Sequence, residues 1–588
     1  MARVSPSVLS TPTGDAAFAD ADAAALLKDH LHELARPGGN WELVKENASR
    51  RVYRGRVGGR EVYVKHFLGK PLGRRLRALF GRDGARREFE SSLLLRSHGV
   101  SALPVLALID GPVRVLASAA VAPAVQGDAW HVQRRSAGHE GQRAIRQATF
   151  ALADLVARMH RAGVSHQDLH CGNILVRSGP GDPGLVLMDL HRISRRRKLS
   201  RRRRAADLAQ LMHDRLDLTT RTDRLRFLRR YLEVGEGEGT LRAWQEQVES
   251  LSRRHRRAQY AHLDRRVRGS NKYFSALRLG GGWRGHAILE AKHPPFPSIA
   301  SQARLTPAQW EQALVDFGGL LAGPAEALKD SRSSRVIRRR LAVGPQELDV
   351  IIRQPKRRNF LQLLADCFRP SRVRRAFREG QALLSRRVPT AIPLAFLERR
   401  WGPFLLDSAL ITEAVDGQSL NRFLESVLAP ESRGAVGDAL PPEQRRRVAQ
   451  EVFLQLGRVL HRLHESNFIH RDLKETSILV RWQGPRVPQV VLLGLNGLRR
   501  VRRITTRRRF YGLMRLNVSL IRCPVVNRAG RLRMLLGYLR QPGSGRINFK
   551  PYWRVLEDWS AKTIRQKIES QQREQKAVRR PPPGAKGA

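Results

Sequence analysis

The chain has 588 residues, too many for one ordinary domain, and 41% of them are hydrophobic, enough for packed cores. Lysine and arginine outnumber acidic residues 108 to 53, a formal charge of +55 that calls for a polyanionic neighbour: nucleic acid, an anionic membrane face or a phosphorylated glycolipid. Cys171, Cys367 and Cys523 are too few and too scattered for a disulfide framework or a zinc site, and the apolar stretch at 102–126 is broken by Asp110 and Arg114, so any membrane contact is expected to be peripheral and electrostatic.

Residues 1–40 are small and acidic before an amphipathic pattern at Ala25, Leu26, Leu27, Leu31 and Leu34, and are expected to be a leader ending in one short helix. From Trp41 the texture changes to strands. Val52 to Val57, then Gly58-Gly59, then Glu61 to Lys65 reads as a hairpin, with a helix following around Arg86 to Ser97. A longer helix over 148–162, with Leu152, Leu155, Val156 and Met159 at helical spacing, delivers the chain to a polar loop at His166, and a strand at Leu185 to Met188 presents Asp189. This is the element order of a bilobal kinase. Prolines at 294, 295, 297 and 307 mark a linker over 291–324, after which the pattern restarts. Lys329 to Val336 parallels Lys45 to Val52, Val350 to Arg353 parallels Val62 to Lys65, and Arg375-Ala376-Phe377 parallels Arg87-Glu88-Phe89. The expected fold is therefore α+β, as two tandem bilobal protein-kinase-like domains over 41–290 and 325–570, followed by a disordered tail over 571–588.

Phosphoryl transfer needs a cation on the nucleotide phosphates, oxygen ligands for magnesium and a carboxylate that orients the acceptor. The first copy supplies them. Lys65 can reach the ATP phosphates and Glu88 can hold it by an ion pair, with Glu90 the competing candidate on the same helix. In His166-Gln167-Asp168-Leu169-His170-Cys171-Gly172-Asn173, Asp168 is the catalytic carboxylate and Asn173 a magnesium ligand, which Asp189 joins after the strand. His166 reads as a structural residue that packs the loop, and His170 is left open between orienting Asp168 and contacting the acceptor. Where a glycine-rich phosphate loop would lie, the chain has Asn47-Ala48-Ser49-Arg50-Arg51-Val52, so phosphate contacts fall to backbone amides, Ser49 or the arginines.

The His-x-Asp-Leu-His-x-x-Asn-Ile-Leu loop, Met188-Asp189-Leu190-His191-Arg192, the Ala206 to Leu211 segment and the Thr222 to Leu232 block together resemble the lipopolysaccharide core kinase family, which includes heptose and Kdo kinases. The resemblance is closer over 41–285 than over 325–570. It implies a protein-kinase-like fold, ATP and Mg2+, an inner-core sugar hydroxyl as acceptor, and work at the cytoplasmic face of the inner membrane on lipopolysaccharide core or lipid A-core glycolipid. Arg192, Arg195, Arg196 and Arg197, with His170, become candidates for gripping an acceptor that bears phosphates and carboxylates. A solvated basic loop that only raises encounter with an anionic surface is the plainer alternative for the arginine run.

The second copy carries Arg353 for Lys65, Ala376 for Glu88, Ser477 for Asn173 and Gly494 for Asp189, and retains Asp472 in His470-Arg471-Asp472. Loss of both metal ligands removes most of the charge stabilisation that phosphoryl transfer depends on, so this copy is expected to be a degenerate pseudokinase that binds glycolipid or supports the first copy. Competing functions are a protein or other small-molecule kinase of the same fold, and a non-catalytic polyanion-binding scaffold. No sequence-specific nucleic-acid module is present to favour the last.

Overall fold

The computed structural model describes residues 7–578 apart from 12–13, 48–49, 69–83, 112, 136, 178–183, 214, 217, 236–238, 292–293, 297, 303, 357–365, 368, 429–439, 483–486 and 542–546. The chain divides into two compact units, Met1–Arg257 and Ala258–Ala588, and the division falls within the helix Leu241–Arg266.

In the first unit the alternating residues of 42–67 build the antiparallel strands Glu42–Asn47, Arg50–Val57 and Arg60–Phe67. Val62 and Val64 are buried while Glu61 and Tyr63 are only half-buried, the period of two that a half-buried strand requires. They join a seven-stranded sheet in the order Ser7–Thr11, Gly14–Phe18, Val105–Asp110, Arg114–Ala119, Arg60–Phe67, Arg50–Val57, Glu42–Asn47. Helix Gly84–Ser97 packs on this sheet through Ala85 and Phe89. The second lobe is helical, around Gly138–Arg161, Arg201–Met212 and Arg221–Gly235, and its core includes Leu155, Val156, Met159, Leu208, Phe227 and Tyr231.

The second unit repeats the plan. Its sheet runs Phe274–Arg278, Trp283–Ile288, Pro393–Trp401, Phe404–Glu413, Gln346–Pro355, Ser334–Val343, Glu326–Ser331, with helix Arg372–Ser385 in the place of Gly84–Ser97 and Pro442–Glu465 in the place of Gly138–Arg161. Both units are bilobal kinase-like domains.

Four expected boundaries move. Residues 14–40 of the expected leader are packed into the first unit, because Gly14–Phe18 pairs with Val105–Asp110 and buries Ala16 and Phe18, and the short helices behind it bury Ala23, Leu27, Leu31 and Leu34. Residues 274–288 belong to the second unit's sheet instead of closing a first domain at 290. Residues 291–324 are no linker: helix Pro307–Ala313, started by a Thr306/Gln309 capping box, and helix Phe317–Ala322 bury Trp310 and Phe317, and the Trp310 indole donates to the Ile288 carbonyl at 2.7 Å. Helix Lys550–Val578 also continues through the first residues of the expected tail, whereas 579–588 lies outside the described residues.

Candidate active site

Strand Arg60–Phe67 carries Lys65 to the sheet's inner face, and helix Gly84–Ser97 brings Glu88 against it, with Lys65 Nζ 2.5 Å from Glu88 Oε1. Glu88 is 1% exposed, while Glu90 points to solvent. The Lys65 ammonium also lies 3.6 Å from Asp189 Oδ1. Asp189 follows strand Leu185–Leu187 in the left-handed region (φ 61°), a conformation that turns its carboxylate back toward Lys65. Ala48 and Ser49 lie outside the described residues, but Arg50 at the start of the next strand forms a bidentate pair with Asp189, Nη1 to Oδ1 at 2.9 Å and Nη2 to Oδ2 at 3.2 Å. Burial pushes the Asp189 carboxyl up, but the His191 ring 3.7 Å away, the Arg50 guanidinium and Lys65 outweigh it and hold Asp189 well below the ordinary carboxylate range. Glu88, Asp189 and His191 form one cluster with ligand atoms within 4.8 Å of one another.

The loop that holds Asp168 is fixed by its backbone. Val164–Ser165 pairs with Ser194–Arg195, and Gly163 at φ 72° lets Arg196 N–H reach its carbonyl at 2.9 Å; a Cβ there would meet the Arg196 carbonyl oxygen at 2.0 Å. Asp207, on helix Arg201–Met212, accepts from the backbone N–H of His166 at 2.8 Å and of Gln167 at 3.2 Å, the latter in the left-handed region at φ 59°. Its carboxylate also faces His160 Nε2 at 3.2 Å, and His160 Nδ1 meets the Tyr231 hydroxyl at 2.7 Å. Burial drives His160 toward its neutral form; burial also raises Asp207, but the His160 and backbone contacts win and keep it ionised. His166 is fully buried, held neutral by that burial, with Nε2 3.2 Å from the Met188 carbonyl. It is a strut that joins the loop to the strand leading to Asp189.

Asp168 is thereby held near Asn173, whose Nδ2 donates to the Asp168 carbonyl at 2.9 Å. That bond leaves the amide oxygen as the group able to meet a cation. Met188 N–H donates to the Asn173 carbonyl at 3.0 Å, so Asn173 and Asp189 sit on adjoining backbone. One amide oxygen and one ionised carboxylate form a hard-oxygen donor set suited to Mg2+ and not to softer metals. Gln210 Nε2 donates to Asp168 Oδ1 at 3.1 Å and Arg192 Nη1 lies 3.7 Å from Oδ2. Gln210, Asp207 and Arg50 do work that no site motif assigned to them; the Ala206 to Leu211 segment was the available signal for the first two.

The acceptor-side arginines divide. Arg192, at 59% exposure, and Arg195, Arg196 and Arg197 face solvent beside the catalytic loop, and His170 sits half-buried with its ring against Gly172. Farther along the basic run, Arg204 donates to the Tyr231 hydroxyl at 2.7 Å and lies over the Trp244 ring, Arg201 also covers Trp244, and Arg203 donates to Ser194. Those three are engaged within the helical lobe.

In the second unit the backbone frame is kept and the chemistry is not. His470 Nε2 meets the Leu493 carbonyl at 3.0 Å as His166 meets Met188, Ser477 Oγ donates to the Asp472 carbonyl at 2.7 Å as Asn173 does to Asp168, and Gly494 has φ 71° where Asp189 has 61°. Arg353, Asp472, Ser477 and Gly494 line one cavity of about 530 Å³. Ala376 is buried where Glu88 would be, and Asp472 is faced by Lys474 at 3.0 Å and Arg515 at 3.4 Å.

The lipopolysaccharide kinase (Kdo/WaaP) family model matches residues 30–231 and again 358–533, together more than half of the chain. Lipopolysaccharide core heptose(I) kinase WaaP of Pseudomonas aeruginosa is 31% identical over 237 residues, covering 37% of this chain and 88% of that protein. The EKC/KEOPS complex subunit Tp53rkb of Mus musculus is 27% identical over 177 residues, covering 30% of this chain and 70% of that protein. A solved structure of WaaP in complex with acyl carrier protein is similar at 28% identity and a TM-score of 0.32, covering 40% of this chain and 98% of that one. With two matched segments and a kinase-like unit around each, the chain is a kinase, a phosphotransferase with an alcohol acceptor, and belongs to the lipopolysaccharide kinase (Kdo/WaaP) family.

Proposed function

We propose that the first unit transfers the γ-phosphoryl group of ATP, with Mg2+, to a heptose or Kdo hydroxyl of the lipopolysaccharide inner core, and that the second unit does not catalyse. The observation that carries this is the convergence of Lys65, Glu88 and Asp189 within hydrogen-bond or ion-pair distance beside a loop that fixes Asp168. Lys65, oriented by Glu88, neutralises charge on the nucleotide phosphates; Asn173 and Asp189 would hold the metal, which supplies charge neutralisation between the phosphates. Asp168 orients the sugar hydroxyl and takes its proton as the new P–O bond forms and the bond to the β-phosphate breaks, releasing ADP. Arg192, Arg195, Arg196 and Arg197 suit the phosphates and carboxylates of the acceptor through bidentate contacts. Among the described residues no helix is long and apolar enough to cross a membrane, so the excess positive charge is proposed to bring the protein to the anionic cytoplasmic face of the inner membrane.

The test is label transfer from ATP to dephosphorylated core glycolipid by the wild-type chain, Asp189→Ala and Asp472→Ala. Transfer lost with the first change and retained with the second is expected. Glycolipid left unlabelled while Asp189-dependent ATP turnover continues would overturn the acceptor assignment.

A further inference from the structure

The degenerate site has changed the sign of its charge. In the first unit Glu88 and Asp189 face Lys65 and Arg50, and Asp168 faces Arg192. In the second, the cavity of about 530 Å³ is lined by Arg353, Arg372, Arg375, Arg471 and Arg499, and the one lining carboxylate among the described residues, Asp472, is already matched by Lys474 and Arg515. Burial lowers the pKa of Arg353, and Arg375 is lowered by burial and by Arg499 and Arg372, which Glu379 and Asp366 only partly offset. Two desolvated guanidinium groups, Arg353 and Arg375, with the exposed Arg372, Arg471 and Arg499 lining the same cavity, are stabilised by a polyanion. A magnesium ion does not fit there: Ser477 and Gly494 replace the oxygen donors, and added positive charge would be repelled.

A second cavity, about 350 Å³, adjoins this one and shares Arg353, Gly494 and Asn496 with it. It is enclosed by the sheet side chains Val336, Ile351 and Leu410 above, Leu479 below and the segment Glu413 to Val415 at its edge. Its walls are mainly apolar and its open end leads to the arginines, the arrangement that a flat aromatic base linked to a phosphate chain requires. We propose that the second unit binds a nucleoside polyphosphate without a divalent cation, the base in the apolar slot and the phosphates on the arginine cluster. The five guanidiniums take the place of the metal, and the loss of both metal ligands leaves the nucleotide intact.

This inference rests on the kinase-like fold of the second unit and not on catalysis in the first, so it is measured by binding. Calorimetric titration of the full chain with ATP in excess EDTA is expected to show a site that survives Lys65→Ala in the first unit. It should weaken at least tenfold with each of Arg471→Glu and Arg499→Glu, both exposed positions whose reversal spares the core; unchanged thermal unfolding checks this. Added Mg2+ should weaken this site or leave it unchanged. No binding in EDTA, binding lost with Lys65→Ala, or insensitivity to both arginine reversals would overturn the proposal. Tripolyphosphate binding as tightly as ATP would also overturn it, because the slot would then contribute nothing.

Discussion

Replacing Arg50 by alanine tests whether the first site rests in a state closed to metal. The guanidinium makes two hydrogen bonds to Asp189, at 2.9 and 3.2 Å, and the two side chains are 19% and 18% exposed. A charge-assisted pair of this kind contributes about 1.5–3 kcal/mol, and partial exposure places it near the lower end. Since Asp189 cannot offer the same oxygens to a cation and to Arg50, the pair has to open first. Deleting it should therefore tighten metal binding by roughly 10–30-fold, at about 1.4 kcal/mol per decade. The assay is Mn2+ titration of the nucleotide-free protein, with Asp189→Asn as the control that abolishes binding. In the presence of ATP the gain should shrink, because the released Arg50 side chain can reach the phosphates that the chain's missing glycine loop leaves uncovered. Equal metal affinity of Arg50→Ala and wild type without nucleotide would refute the reasoning, since it would mean that the pair exerts no hold on Asp189.

Glu88→Ala should cost about 3–5 kcal/mol of stability and at least a hundredfold in kcat/KM, whereas Glu88→Gln should recover most of the stability and little of the activity, because the amide keeps the shape but not the charge that orients Lys65; thermal unfolding and steady-state kinetics separate the two effects. Asp207→Asn leaves one of the two catalytic-loop N–H groups without an acceptor and should destabilise by about 1–3 kcal/mol, with faster hydrogen exchange confined to residues near His166 and Gln167. Burial raises Glu379 to about 7 despite the charges of Arg375, Arg499 and Arg500. A carboxyl whose folded pKa exceeds its unfolded value contributes stability below the unfolded pKa that is lost as pH rises through the folded one. The second unit should lose up to about 3 kcal/mol between roughly pH 4.5 and 7, and Glu379→Gln should unfold later than wild type at pH 8 but not at pH 5.

What the sequence made legible follows the range of the interactions. The loop residues Asp168 and Asn173 lie five apart and the helix and strands around them have clear periodicity, so their placement needs only local order. The Arg50–Asp189 pair joins positions 139 apart, and no local pattern announces it. The hairpin at Ser7–Phe18 was hidden for the same reason: its small residues Ala16 and Ala17 become a strand only through pairing with Ile109 and Leu108. Its copy at Phe274–Ile288 was assigned to the wrong unit because prolines downstream resembled a boundary, although they lie among helices whose Trp310 and Phe317 fill the second core. The run from Arg195 to Arg204 looked uniform in charge, but helix Arg201–Met212 turns Arg201 and Arg204 onto Trp244, a division set by tertiary packing.

The two units show why the loss of a few residues in a kinase-like site does not leave an inert remnant. The strut histidine, the loop bond to the catalytic aspartate's carbonyl and the left-handed residue after the strand all persist in the second unit, so its cleft keeps its shape. Removing Glu88 and Asp189 from such a cleft while retaining a cation at position 65 would leave a buried positive charge uncompensated, which is costly. The second unit did not lower that cost by substituting an apolar residue; it carries Arg353 there and adds Arg372 and Arg471 at positions where the first unit has Gly84 and Gln167. An arginine-lined cavity that was merely decaying would be destabilising at its desolvated positions, Arg353 and Arg375. Its persistence in a well-packed frame is accounted for if an anion occupies it during the protein's working life, and the EDTA titration decides between that account and simple drift.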